Sequence, residues 1–309
     1  MNSIGYDVIA DVHGQNEKLE ALLAVLGYKE TEGCYRHPTR KAVFLGDLID
    51  RGSGIPNTLR IVRAMVEAES AFAVLGNHEL NAIAYHTPAR DAHGGFLRPH
   101  NHRNNAQHAQ TVEQFRDREA ELRDYLRWFA SLPLFLDLGG LRIVHACWHE
   151  GAIRALGGCN RLGLSMLSSD GTKENRIGHE AVNLLLKGPE IEVPGGVEYG
   201  PDRRTEMRVK WWLNGDGLTY RDVGMQVPAE LLTDEPLKKE DRGMVCGYPE
   251  EAPPVIVGHY GFKKPPEPMA PNVAIIDLGA YKDGPLCAYR WGGERILESG
   301  NFILTEKSQ

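Results

Sequence analysis

The chain has 309 residues, which is enough to bury a large core in one domain or in one domain with an added segment. Its 42 acidic and 35 basic residues give a formal net charge of -7, so the surface as a whole has no electrostatic reason to bind duplex nucleic acid. The five cysteines stand singly, which argues against a disulfide framework and a thiolate zinc site. No run of about 18 apolar residues occurs, which argues against a membrane-spanning helix. We therefore expect a cytoplasmic protein, and the sequence assigns no oligomeric state.

The first 75 residues alternate between short apolar runs and helical patterns. Strands are predicted at 4–10, 41–45 and 71–75, and helices at 15–26 and 55–67. Gly27 ends the first helix, and Pro56 stands in the first turn of the second. This alternation predicts an α/β fold whose strands deliver the following loops to one edge of a sheet.

The segment 86–131 interrupts this alternation. Its first part, 86–108, is rich in histidine and has almost no periodic apolar signal; the histidines are His86, His93, His100, His102 and His108. An apolar stripe that includes Phe115 and Phe129 predicts one helix at 106–131. Long excursions of this kind are often functional, so we interpret the segment as an insertion that caps the site. The alternative is that the histidines are surface residues of a polar loop.

The second half of the chain has a weaker pattern. We predict a helix at 181–186 and strands at 141–146, 208–213, 254–257, 273–276 and 286–291. The turn at 282–284 is expected to begin a ribbon that the last strand closes. No internal repeat is visible, and we expect a single domain over residues 1–309 that includes the insertion.

Side chains that can donate an oxygen or nitrogen atom to a metal ion follow the predicted strands. They are Asp11, His13, Asp47, Asn77, His145 and His259. A lone histidine at a strand end is usually structural, but the recurrence at successive strand ends favours a common site. Three imidazoles, two carboxylates and an amide oxygen suit two borderline or hard divalent ions. We expect manganese, with iron, zinc, nickel or cobalt as alternatives.

Asp47 is the natural bridge between two ions, because one carboxylate offers two oxygens. The ions would lower the pKa of a shared water and supply hydroxide near neutral pH. Arg51 has the planar fork that binds two phosphate oxygens at once. His78 follows Asn77 directly, and we propose it as the general acid toward the leaving oxygen, oriented by Asp50. Taken singly, Asp50-Arg51 is also typical of a surface pair.

Five blocks of the sequence resemble those of calcineurin-like metallophosphoesterases, in the branch shared with phosphoprotein phosphatases. The blocks are Asp-Val-His-Gly at 11–14, Gly-Asp-Leu-Ile-Asp-Arg-Gly at 46–52, Gly-Asn-His-Glu at 76–79, His145, and Gly-His at 258–259. The resemblance implies a central β-sandwich flanked by helices, with a dinuclear metal site at its edge. It also implies that Asp11, His13 and Asp47 bind one ion. Asp47, Asn77, His145 and His259 would bind the other.

The C-terminal part of the sequence narrows the range of possible substrates. Residues 276–279 and 286–290 are closer to bacterial dinucleoside-tetraphosphate hydrolases and to the phosphatase domain of polynucleotide kinase-phosphatases than to eukaryotic protein phosphatases. The resemblance therefore implies a phosphorylated small molecule, a nucleotide or a nucleic-acid end as substrate. Arg208 could be a second phosphate clamp, Asp277 could line the pocket, and Trp148 could stack a base. The alternatives are a structural ion pair for Arg208, backbone hydrogen bonds for Asp277 and simple burial for Trp148.

Two other functions remain open on the sequence. One is a serine/threonine protein phosphatase that docks its substrate through the insertion. The other is a non-catalytic module that binds a phosphate ligand. The presence of every ligand and of the His78–Asp50 pair argues against the second.

Overall fold

The computed structural model describes residues 5–89, 95–168, 172–200 and 203–305. The helices in these ranges are α1 (Asn16–Leu26), α2 (Ile55–Glu67), α3 (Asn77–His86), α4 (His102–Gln114), α5 (Glu119–Ser131), α6 (Glu150–Ala155), α7 (Lys173–Lys187), α8 (Tyr220–Val223) and α9 (Lys239–Arg242). The strands are β1 (Gly5–Ile9), β2 (Lys29–Thr31), β3 (Cys34–Arg36), β4 (Arg40–Phe44), β5 (Ala71–Ala73), β6 (Phe135–Asp137), β7 (Arg142–Val144), β8 (Glu190–Glu192), β9 (Glu206–Val209), β10 (Gly224–Met225), β11 (Val255–Val257), β12 (Pro268–Ala270), β13 (Val273–Ile275), β14 (Cys287–Trp291) and β15 (Phe302–Leu304).

Two five-stranded sheets form the centre of the molecule. The first has the order β15-β14-β1-β4-β5, and the second has the order β12-β13-β11-β7-β6. Each contains three parallel strands, β1, β4 and β5 in one and β7, β11 and β13 in the other. One hydrophobic cluster holds side chains from both sheets, such as Val43 of β4 and Ile256 of β11. The predicted α/β fold with a central β-sandwich flanked by helices is confirmed.

The three strands and two helices predicted in the first 75 residues are present as β1, β4, β5, α1 and α2, and a hairpin that was not predicted, β2–β3, lies between α1 and β4. β4 pairs with β1 in parallel, with Val8 opposite Val43, and all three residues of β11 are buried. Strands that are covered on both faces have continuous apolar runs in their sequence, so they can be predicted from the sequence alone. α1 ends at Gly27, whose left-handed backbone terminates the helix.

The predicted continuous helix at 106–131 is wrong. The segment forms two helices, α4 and α5, separated at Phe115–Arg118. Phe115 is buried in the core, and the Arg118 guanidinium lies over its ring at 5.1 Å. α5 buries an apolar face, whereas the fully covered positions of α4 are His108 and Thr111. Because α5 buries apolar side chains and α4 buries polar ones, a single apolar stripe does not describe both helices.

The described residues of the histidine-rich part of the insertion form the end of one helix, the start of another and a stack of aromatic rings. α3 runs to His86, and α4 begins at His102 after Asn101, whose side chain accepts the Asn104 N–H. Between the helices, the His100 ring stacks on the rings of Tyr85 and Phe96, with centroid distances of 3.8 and 4.1 Å. His93 lies outside the described residues.

A third sheet, β10-β9-β8, has a small hydrophobic core of its own that includes Ile191 and Met207. The strand predicted at 208–213 is shorter than expected, because β9 ends at Val209. The predicted ribbon after the turn at 282–284 does not form. β14 pairs with β1 and β15 in the first sheet, and a short 3-10 helix occupies 280–282. None of the described helices is long and apolar enough to span a bilayer.

Candidate metal centre

Loops after the six parallel strands carry the candidate residues. Asp11 and His13 follow β1, Asp47 follows β4, Asn77 follows β5, and His145, His259 and Asp277 follow β7, β11 and β13. The carboxyl ends of parallel strands in one sheet share an edge, so these loops converge. All six residues predicted as metal ligands are brought together there.

The backbone of these loops is held in conformations that most residues avoid. His13, Asp47, Asp50 and His259 all have positive φ, at 49°, 50°, 84° and 70°. The two central loops also touch, because a Cβ atom on Gly76 would lie 2.2 Å from the Asp47 N atom. Left-handed backbone at non-glycine residues costs about 1–3 kcal/mol each and tends to occur at functional sites.

Hydrogen bonds to main-chain carbonyls fix the imidazole rings. Nδ1 of His13 lies 2.7 Å from the Ile49 oxygen, and Nδ1 of His145 lies 2.6 Å from the Leu45 oxygen. Each ring therefore donates from Nδ1 and presents Nε2 to Asp47, at 3.6 and 3.5 Å from its carboxylate. Histidines that bind metals typically have their second ring nitrogen anchored in this way.

Two groups of side chains could each hold a metal ion. His13, Asp47 and His78 form one, and Asp47, His145 and His259 form the other, with the ligand atoms of each group within 4.8 Å of one another. Asp47 belongs to both.

Two further oxygen donors border the second group. The Asn77 side-chain oxygen lies 3.0 Å from Nε2 of His145 and 2.8 Å from Nδ1 of His259. Asp11 accepts the His259 N–H through Oδ2, at 2.9 Å. Its buried Oδ1 atom has no hydrogen-bond partner among the described residues. An unsatisfied buried carboxylate oxygen beside inward-facing imidazoles fits a cation, and these oxygen and nitrogen donors suit borderline or hard divalent ions.

Burial and neighbouring charges shift the pKa values of this cluster. Burial opposes ionisation of Asp47, but His145 and His78 lower its pKa well below the usual range. Burial lowers the pKa of His145, but Asp47, Asp11 and the Leu45 carbonyl together raise it by more, to about 10. The pKa of His13 falls to about 4, because burial and His78 disfavour its charged form. Asp47 is therefore ionised and His13 neutral, as metal binding requires, whereas the charged His145 would release its Nε2 proton when a metal ion binds.

The predicted pair of His78 and Asp50 is present. Nδ1 of His78 lies 2.6 Å from Oδ2 of Asp50, and both side chains are buried. Burial lowers the pKa of His78, but Asp47 and Asp50 raise it by more, so the net shift is upward. Nε2 of His78 faces Asp47 at 3.9 Å and Gln107 at 3.4 Å. The ring is therefore anchored on one side and open to the site on the other.

Glu79 is a site residue that the sequence did not reveal. Its fully buried carboxylate accepts the backbone N–H groups of Asp47 at 2.8 Å, Leu48 at 2.7 Å and Gly76 at 3.2 Å. Burial and Asp47 raise its pKa to about 7, although the N–H donors of Leu48 and Asp47 oppose the shift. Its spacing from Gly76, three residues earlier, matches a helix capping box and was the available signal.

A cleft of about 880 Å³ opens over the cluster. The described residues that line it include seven cationic side chains, namely Arg51, Arg103, Arg204, Arg208, Lys263, Lys264 and Lys282. Its carboxylates are Asp47, Asp277 and Asp283. The cleft is thus strongly cationic in a chain whose net charge is -7.

The predicted substrate residues have different positions. The Arg51 guanidinium lies over the Tyr281 ring at 5.0 Å in the cleft. Arg208 lines the cleft and donates to the Tyr260 oxygen at 3.2 Å. Asp277 lines it too, but both of its oxygens accept backbone N–H groups. Trp148 is not among the described lining residues; it is buried against Phe135 and donates to Glu150.

Comparison with known proteins adds an independent result. The family model for calcineurin-like phosphoesterases matches residues 6–187. A bis(5'-nucleosyl)-tetraphosphatase PrpE from Geobacillus sp. (strain WCH70) is 34% identical over 150 residues, which cover 45% of this chain and 56% of the relative. The PrpE protein of Bacillus subtilis (strain 168) is 29% identical over 149 residues, 46% of this chain and 57% of the relative. The chain thus spans about half the length of the curated relatives it matches.

One solved structure shows the same fold. It is a serine/threonine phosphatase from Saccharomyces cerevisiae, with a TM-score of 0.51 and 14% sequence identity. The match covers 98% of this chain and 79% of the phosphatase.

Proposed function

Because the chain belongs to the calcineurin-like phosphoesterase family, we propose that it is a metal-dependent phosphohydrolase that acts on nucleotide-type phosphate esters or anhydrides. The observation that carries the proposal is the position of Asp47, which belongs to two metal-binding groups and lies beside the His78–Asp50 pair. The cleft above these residues contains Arg51. This combination provides for a nucleophile, a proton donor and a phosphate ligand in one place.

We assign two divalent ions to the donor set. Asp11, His13 and Asp47 would hold one ion, and Asp47, Asn77, His145 and His259 the other. Asp11 takes the place of His78 in the first set, because Asp11 has an unpartnered buried oxygen whereas His78 is paired with Asp50. When bound, the ions supply a polarised water and positive charge for the phosphate oxygens. The nitrogen and oxygen donors favour manganese, with iron, zinc, nickel or cobalt as alternatives.

The other site residues bind the phosphoryl group, donate the proton or shape the cleft. The guanidinium of Arg51 binds two oxygens of the phosphoryl group and orients it. His78 donates a proton from Nε2 to the leaving oxygen, while Asp50 holds its Nδ1–H at 2.6 Å and favours the charged ring. Asp277 ties the loops after β11 and β13 together through the N–H groups of Gly261 and Gly279, and so shapes the wall of the cleft.

The charge of the cleft supports a substrate with several phosphates. A phosphomonoester needs only the two ions and Arg51, whereas the further lysines and arginines match the extra charge of a nucleoside polyphosphate. The names of the relatives, asymmetrical bis(5'-nucleosyl)-tetraphosphatases, agree with this class. Within this proposal the chain is one domain, and the insertion forms part of the cleft wall through Arg103 and Gln107. The five free cysteine thiols support a reducing compartment, and we place the protein in the cytoplasm.

The decisive experiment compares two substrates at equal concentration with manganese-loaded protein. Diadenosine tetraphosphate is expected to be hydrolysed with a much higher kcat/KM than a phosphothreonine peptide. Preference for the peptide would support a protein phosphatase instead. Absence of turnover of both substrates, together with measurable binding of the dinucleotide, would identify a non-catalytic phosphate-binding module.

A further inference from the structure

Helix α4 of the insertion packs against the loop that carries Asp50 and Arg51. Thr111 Oγ1 accepts the Asp50 N–H at 3.1 Å. Gln114 accepts the Ile55 N–H and donates to the Gly52 oxygen, both at 2.9 Å. Side chains three residues apart lie on one face of a helix, so α4 holds both ends of this loop with a single face.

The same face completes the coordination of the Asp50 carboxylate. Oδ2 faces Nδ1 of His78, whereas Oδ1 lies 2.6 Å from Nδ1 of His108 and 2.7 Å from the Thr111 hydroxyl, which donates to it. Asp50, His78, His108 and Thr111 are all buried. Each carboxylate oxygen of Asp50 therefore accepts a hydrogen bond from an imidazole ring. Rotation of the carboxylate about the Cβ–Cγ bond would break at least two hydrogen bonds.

A further histidine extends this set of contacts. Nε2 of His86 lies 3.1 Å from Nε2 of His108. Burial and His108 lower the pKa of His86 to about 4, so that ring is neutral. Hydrogen bonds thus link His86, His108 and Asp50, and Asp50 is also bonded to His78.

We propose that His108 is a positioning residue for the hydrolytic reaction, acting through Asp50 on His78. It fixes the Asp50 carboxylate so that Oδ2 stays aligned with His78, which leaves Nε2 of His78 directed at the cleft. This inference rests on the proposed function, because the role of His78 as general acid comes from there. It assigns to the histidine-rich insertion a part in the chemistry that is separate from substrate docking.

The test uses aryl phosphates whose leaving groups differ in pKa, with manganese-loaded protein. His108→Ala should lower kcat about 10- to 100-fold for phenyl phosphate, the range typical of losing a residue that orients a group at a metal site. It should change kcat little for 2,4-dinitrophenyl phosphate, whose departure needs no proton. His108→Asn should restore most of the activity, because the asparagine amide nitrogen occupies the place of Nδ1. His108→Gln, whose amide reaches the Nε2 position, should not.

Three further variants leave position 108 unchanged, so they test the proposal even if the His108 variants fail to fold. Thr111→Val removes the hydroxyl bonded to Asp50 with little change in volume and should reproduce part of the leaving-group effect, whereas Thr111→Ser should not. Val112→Ala, at a 41% exposed position of the same helix, is the matched control and should behave as wild type. In metal-free protein, the imidazole N–H resonance of His78 in the short bond to Asp50 should broaden or shift in His108→Ala and be retained in His108→Asn.

The outcomes separate this inference from the proposed function. If His78→Ala shows the leaving-group effect while His108→Ala and Thr111→Val do not, the positioning role is refuted and the proposed function stands. An equal loss for both aryl phosphates in His108→Ala, without rescue by asparagine, would also refute it, because that pattern indicates a structural role. If wild-type protein hydrolyses neither the aryl phosphates nor diadenosine tetraphosphate, the proposed function itself fails. An unchanged His78 N–H resonance in His108→Ala refutes the positioning role whichever substrate is hydrolysed.

Discussion

Replacement of Glu79 by alanine tests how the loop that carries Asp47 is held. The Glu79 carboxylate accepts three backbone N–H groups, from Asp47, Leu48 and Gly76, at 2.7 to 3.2 Å. It is fully buried, so bulk water does not reach these donors in its place. The alanine variant should therefore lose stability and at the same time loosen the candidate metal ligand Asp47.

The size of the effect follows from the contacts. Each buried N–H group left without an acceptor costs about 1–3 kcal/mol, so three of them set a range of roughly 3–9 kcal/mol. The removal of a buried carboxylate close to Asp47 offsets part of this cost, because burial and Asp47 already disfavour its charge. We expect a net loss of about 3 kcal/mol in the free energy of unfolding, a large share of the 5–15 kcal/mol typical of a domain.

Urea denaturation of metal-free protein measures the loss by linear extrapolation. Titration calorimetry with manganese measures how far the candidate ligand Asp47 is loosened. We expect the affinity for manganese to be about 10- to 100-fold weaker. Glu113→Ala, at an exposed position on α4, should stay within about 0.5 kcal/mol of wild type. A Glu79→Ala protein as stable as this control, with unchanged manganese affinity, would show that the three N–H groups do not depend on the carboxylate.

Three further substitutions address other parts of the site. Asp47→Asn should abolish hydrolysis and manganese binding while the circular dichroism spectrum stays native; retained activity would refute the shared-ligand assignment. Arg51→Lys loses the planar fork and should weaken transition-state binding by about 1.5–3 kcal/mol. This lowers kcat/KM roughly 10- to 150-fold without changing the metal content. Lys18→Met removes the Nζ donor to the Ala280 and Gly284 oxygens, at 2.6 and 2.9 Å, and should raise KM by freeing the loop of Tyr281. An unchanged KM would show that this loop is rigid without Lys18.

The sequence signals that lead to the candidate ligands are local. Each of the residues Asp11, Asp47, Asn77, His145 and His259 follows a short apolar run, and such runs become buried parallel strands. The rule that loops at the carboxyl ends of parallel strands converge then places these side chains together without knowledge of the pairing. The division into two sheets required the family resemblance, since strand order is not encoded in periodicity.

The contribution of helix α4 could not be predicted in the same way. Its buried positions, His108 and Thr111, are polar, so the helix has no apolar stripe on its inner face. Their burial is compensated by Asp50, which lies 58 and 61 residues away in sequence. A polar helix face of this kind looks solvent-exposed until its partner is known, and for this reason the apolar pattern of α5 predicts a single helix across the break at Phe115.

The strained loops explain why supporting contacts from distant elements are needed. Left-handed backbone at His13, Asp47, Asp50 and His259 costs about 1–3 kcal/mol at each residue, and such conformations persist only where surrounding contacts over-determine them. Those contacts come from other segments: Asp11 accepts the His259 N–H, Thr111 of α4 accepts the Asp50 N–H, and Glu79 of α3 accepts the Asp47 N–H. Each strained residue so stabilised depends on a segment remote in sequence. Substitution of a supporting residue should therefore weaken the site through geometry even where no ligand is removed.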